Sequence, residues 1–101
     1  MTDGRAIFRI FVDGRVQGVG FRAFVAREAA RRNLSGWVRN RRDGSVEAVV
    51  AGAPAAIDEF AALVRRGPPV ARVDAFRQQP ADEAALQEYG GTNSFDVAPD
   101  A

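Results

Sequence analysis

The 101 residues, 47% apolar and 27% charged with a net charge of +1, suit a single domain over 1–101 with one two-layer core, and this charge gives no global reason to expect nucleic acid. All fourteen basic residues are arginine, and histidine and cysteine are absent, which excludes a Walker-type lysine loop, a Schiff base, thiol nucleophiles, Ser-His-Asp triads, disulfides and an ordinary zinc site. Chemistry must rest on arginine, carboxamides, carboxylates, hydroxyls, one tyrosine and backbone dipoles.

The opening Met1-Thr2-Asp3-Gly4-Arg5-Ala6 and the apolar run Ile7 to Val12, broken by Arg9, fit neither a signal peptide nor a membrane span. A cytoplasmic location with no membrane partner is expected. Ile7 to Asp13 alternates as a first strand, with Phe8, Ile10 and Val12 toward the core and Arg9, Phe11 and Asp13 on the other face. A loop from Gly14 to Gly20 follows and delivers Arg22 into a helix-like segment. A strand that turns through glycines into a helix start gathers unpaired backbone N–H groups around one point, which suits a phosphate or another small oxyanion. Arg22 would add a planar, permanently charged fork. Taken alone, Gly14, Gly18 and Gly20 serve equally well as turn residues.

From Arg22 to about Asn33 the period is helical: Phe21, Phe24, Val25 and Ala29 share a stripe, while Arg27, Glu28, Arg31 and Arg32 lie mostly off it. Gly36 to Arg41 and Ser45 to Ala51 form two strands joined by Arg42-Asp43-Gly44, whose Asp-Gly pair suits a tight hairpin. Gly52-Ala53-Pro54 opens a second helix with Ile57, Phe60, Leu63 and Val64 buried, and Gly67 with Pro68-Pro69 stops it. Val70 to Phe76 is a further strand, Pro80 to Asn93 a polar loop, and Phe95-Asp96-Val97 a short closing strand. The order β-α-β-β-α-β predicts an α+β sandwich of the ferredoxin-like type: a mainly antiparallel sheet of four or five strands with two helices on one face.

Two segments carry a resemblance. Val12-Asp13-Gly14-Arg15-Val16-Gln17-Gly18-Val19-Gly20-Phe21-Arg22, and Gly36-Trp37-Val38-Arg39-Asn40 continuing through Gly44, Val46 and Gly52, together resemble the acylphosphatase family. The resemblance implies metal- and cofactor-free hydrolysis of the carboxyl–phosphate bond of small-molecule acyl phosphates. It also implies roles for particular residues. Gly14, Arg15, Val16, Gln17, Gly18, Val19 and Gly20 would cradle phosphate through their amides. Arg22 would bind it as a catalytic residue, and Asn40 would hold the attacking water. Two departures stand out: Arg41-Arg42-Asp43 follows the asparagine where some relatives carry hydroxyls, and Phe95-Asp96-Val97 runs into Ala98-Pro99 rather than a basic residue.

Other readings remain beside this one. The same fold could be a non-catalytic module binding phosphate or carbamoyl phosphate; a chain ending near residue 101 points instead to a free enzyme, expected as a monomer. Gly18-x-Gly20-x-x-Ala23 mimics a dinucleotide fingerprint, but a hairpin follows it rather than a second crossover. An RNA-binding sheet needs stacked aromatics, and Ser45 to Val50 offers none on either face. Arg39, Arg41 and Arg42 either raise the local potential for an anion or form a solvated rim. Trp37 is expected to pack, and Gln17 to shape the loop.

Overall fold

Alternation in the first strand sets the two faces of the sheet. The computed structural model describes residues 4–90 and 93–100. Met1, Thr2 and Asp3 of the opening segment, and Gly91 and Thr92 within the expected loop, lie outside them. The elements are β1 (Ala6–Arg15), α1 (Phe21–Arg31), β2 (Ser35–Asn40), β3 (Val46–Gly52), α2 (Pro54–Arg66), β4 (Arg72–Pro80), α3 (Glu83–Gln87) and β5 (Phe95–Val97). The strands lie in the order β4-β1-β3-β2-β5. β3 is antiparallel to both β1 and β2, β4 is antiparallel to β1, and β5 is parallel to β2. This is the expected α+β ferredoxin-like sheet, mostly antiparallel, with its fifth strand present.

Ile10, Val12, Val38, Val46, Ala48 and Val50 project to the helix side, where they bury Phe21, Val25 and Ala29 of α1 and Ile57, Phe60 and Val64 of α2. Val12 pairs with Val46, and Val46 with Asn40, so Asn40 ends a row that otherwise belongs to this core. Burying each large apolar side chain contributes about 1.5–3 kcal/mol, so the row is held rigidly. The opposite face has a smaller cluster. Trp37, Val49 and Ala51 pack under Ala85, Leu86 and Ala98, and Trp37 Nε1 donates to the Ala85 carbonyl at 2.9 Å.

Four expectations need correction. The loop expected after Pro80 contains α3, which covers the face away from the other helices; Asp82 caps it by accepting from the Ala85 amide at 3.0 Å. The last long strand runs from Arg72 to Pro80 rather than from Val70 to Phe76, because a turn from the Ala71 amide to the Pro68 carbonyl holds the preceding residues. Proline at its end is tolerated, since β4 lies at the edge of the sheet that the described residues form. Glu28 is buried rather than off the packed stripe, because Arg32 Nη1 donates to its carboxylate at 2.9 Å. Finally, Gly14 and Arg15 belong to β1. They pair with Val73 and Arg72 after a bulge at Asp13/Gly14. A side chain on Gly14 would drive its Cβ into the Arg72 carbonyl oxygen, so glycine here answers to the close approach of β4.

Candidate active site

Between β1 and α1 the chain has five residues in which to reverse direction. Val16 anchors this loop in the core, and Val19 packs partly against it. Gly18 and Gly20 adopt φ of 74° and 78°, in open space. Their glycines supply the left-handed turn itself rather than room for a neighbour. Gly20 is the cap of α1, with no side chain closing the helix start and no acidic residue in its first turn. The first helical bond runs from the Phe24 amide to the Gly20 carbonyl at 3.0 Å. The amides of Phe21, Arg22 and Ala23 therefore lack intrahelical acceptors, and the positive end of the helix dipole is open.

Those residues border a cavity of about 280 Å³ lined by Val16, Gly18, Gly20, Phe21, Arg22, Ala23, Asn40 and Val97. That is the small end of small-molecule sites. Arg22 is half-buried at its wall. Asn40 enters from the end of β2, only 8% exposed, and its Oδ1 is fully buried with no donor among the described residues. A buried carboxamide oxygen without a donor costs about 1–3 kcal/mol. Among the described residues none that lines it is acidic, and the Arg22 guanidinium at its wall is ion-paired with Asp100 from outside the lining.

The two halves of the site are tied together by a residue that does not line the cavity. Gln17 Nε2 donates to the Arg41 carbonyl at 2.7 Å and to the Ser45 carbonyl at 2.8 Å. These carbonyls flank the hairpin turn directly after Asn40. The turn has its own brace, since the amide and hydroxyl of Ser45 donate to Asp43 Oδ1 at 2.9 and 2.6 Å. These bonds, the hydroxyl's first, hold the Asp43 carboxyl below its usual range.

Of the predicted site residues, Val16, Gly18, Gly20, Arg22 and Asn40 meet at one cavity, and Gln17 and Val19 support it from behind. Gly14 and Arg15 do not line it; they remain in the sheet. Arg39 lies on the opposite face of β2, donating to Glu47 at 2.9 Å and to the Tyr89 hydroxyl at 2.6 Å. Arg41 stacks its guanidinium 5.2 Å from the Phe11 ring, and Arg42 is exposed in the turn. None of the three reaches the cavity. Sequence reasoning missed Val97 and also Asp100, whose Oδ1 accepts from Arg22 Nη1 at 2.7 Å across 78 positions; no local pattern signals such a contact.

The family model described as Acylphosphatase matches residues 8–96. An acylphosphatase of Bradyrhizobium diazoefficiens is 50% identical over 97 residues, 94% of this chain and 96% of that protein. The crystal structure of acylphosphatase from Bacillus subtilis superimposes with a TM-score of 0.80 at 40% identity, covering 91% of this chain and 97% of that one. A segment of full-length HypF, solved in a phosphate- and nucleotide-bound form, is also similar: TM-score 0.81 and 26% identity over 99% of this chain but 13% of HypF.

Proposed function

This chain belongs to the acylphosphatase family, and from that premise we propose how its residues divide the work of the reaction. The activity is that of an acylphosphatase, hydrolysis of the carboxyl–phosphate bond of acyl phosphates to a carboxylate and inorganic phosphate. In our reading the phosphoryl group rests on the amides of the Val16–Gly20 loop and of the first turn of α1, with Arg22 as its charged clamp. Asn40 Oδ1 accepts a hydrogen bond from water and aims its oxygen at phosphorus. The P–O bond to the acyl group breaks, and the carboxylate departs with the electron pair. With a pKa of roughly 4 that leaving group needs no general acid. The water proton passes to a phosphate oxygen. Phosphoryl transfer of this kind depends on positioning and charge stabilisation, which an arginine, an amide-lined turn and a carboxamide can supply.

One observation carries this reading: Asn40, whose carboxamide oxygen has no partner among the described residues, lines the same cavity as Arg22. Phosphate release from acetyl phosphate by the wild-type protein and by Arg22→Ala tests it. Each charge-assisted bond lost should cost about 1.5–3 kcal/mol, a loss of roughly 10- to 150-fold in kcat/KM. Equal turnover by the two proteins would overturn the assignment. Metal independence belongs to the same reading, supported by a chain without histidine or cysteine; EDTA should leave the rate unchanged.

The alternative, a non-catalytic anion-binding module, draws on the likeness to part of HypF. The relative matched over 96% of its own length is an acylphosphatase, which favours the enzyme. The same reading takes the protein as a cytoplasmic monomer acting on a small molecule, without nucleic acid. Among the described residues Val70 and Val97 are the large apolar side chains left exposed, and no helix is long and apolar enough to cross a membrane. Light scattering of the purified protein tests the monomer.

A further inference from the structure

The last strand borders the cavity through Val97. In β5 the side chains alternate: Phe95 packs against the helix-side core, while Ala98, just beyond the strand, is buried in the cluster around Trp37. The Ala98 amide donates to the Val38 carbonyl at 2.8 Å, which fixes where the next residues go. Pro99 limits their freedom, and the Asp100 carboxylate accepts from the guanidinium of Arg22, a wall residue of the cavity. Val97, 51% exposed, lines the same cavity.

Asp100 cannot be a ligand for phosphate, since both are anions. If the loop amides and Arg22 hold the phosphoryl end, the acyl group must extend out of the cavity past exposed Val97, with the Asp100 carboxylate held close by on Arg22. Phosphate and Asp100 then share one guanidinium. The aspartate is less neutralised with substrate bound than without it, and it faces the acyl group. We propose that Asp100 is a specificity-determining residue that selects uncharged acyl groups against those carrying their own negative charge, a reading that rests on the hydrolase function assigned to this cavity. Two like charges closer than a Debye length, about 8 Å at physiological salt, repel enough near a protein surface to change a rate severalfold, and added salt screens the effect.

The test compares kcat/KM for benzoyl phosphate with that for its para-carboxylate derivative, 4-carboxybenzoyl phosphate. Both share the phosphoryl end, so any change in how Arg22 grips phosphate cancels in the ratio. Asp100 is exposed, with 62% of its side chain accessible, so replacing it leaves the fold intact. The wild-type protein should favour benzoyl phosphate. Asp100→Asn should narrow that preference by about three- to tenfold, Asp100→Glu should retain it, and rising salt should erode it in the wild type. An unchanged ratio in Asp100→Asn overturns the specificity role alone. No release from either substrate by the wild-type protein overturns the hydrolase reading, and this one with it.

Discussion

Gln17 donates from one amide nitrogen to both carbonyls that bracket the turn after Asn40, Arg41 at 2.7 Å and Ser45 at 2.8 Å. The loop that turns through Gly18 and Gly20 and the strand end that carries Asn40 are thereby held in one register. Both acceptors also take backbone donors, from Gly44 at 3.1 Å and Arg41 at 2.9 Å respectively. Removing Gln17 therefore leaves neither carbonyl bare. Gln17→Ala should lower stability by only about 1–2 kcal/mol, while kcat falls by about tenfold or more, because a displacement on the order of 1 Å between water and phosphorus is costly. Urea melts and acetyl phosphate turnover on the same preparation check it; a proportional loss in both would make Gln17 merely structural.

Asn40→Ala should separate function from stability in the opposite sense. The Oδ1 atom is buried without a donor among the described residues, so its removal relieves a desolvated polar group. The variant should be as stable as the wild type, or more so. Its kcat should fall by about a hundredfold with little change in KM, since orienting water matters only once substrate is bound. A rise in KM with kcat preserved would contradict the water-holding role.

Gly14→Ala should behave as a folding variant. Its φ of 131° and the clash that an added Cβ would make with the Arg72 carbonyl oxygen oppose any side chain. The β1–β4 pairing should loosen at a cost of about 1–3 kcal/mol. The denaturation midpoint should drop, while KM of the folded fraction stays close to that of the wild type.

Asp43 gives the turn an acid-sensitive brace. Its carboxyl is held below the ordinary Asp value of 3.8 by the Ser45 hydroxyl and amide. A folded-state value below the unfolded one means stability present above that ordinary value and lost as pH falls through the lower, folded value. The stability gap between the wild type and Asp43→Asn should be constant from about pH 5 to 7 and shrink below about pH 4. A gap that widened on acidification would reverse the sign.

The legible parts of this chain were those with one buried face. β1 alternates, and α1 and α2 carry apolar stripes, so the order of elements followed from periodicity. β4 is largely solvated on both sides, and its start is masked by the apolar Val70 just outside it. α3 is a five-residue helix, too short to show a period. Arg39 is instructive in another way. It adjoins Asn40 in sequence, which left open whether it raises the potential at the site or sits on a solvated rim; a period of two sends the neighbours to opposite faces, and Arg39 pairs with the buried Glu47. The two signature segments marked the loop, Arg22 and Asn40. Asp100 carried no signal, because its contact depends on the route of the final residues.

The same alternation supplies a useful optical property. The lone indole, Trp37, is fully buried on the side of β2 away from Asn40, edge-on to the Tyr89 ring at 4.7 Å and roofed by α3. Its emission reports the docking of that short helix and the integrity of the rear of the sheet, with the sheet itself standing between the fluorophore and any bound anion. Unfolding can thus be followed by fluorescence in saturating phosphate, and a shift in the midpoint measures the ligand's linkage to folding rather than quenching.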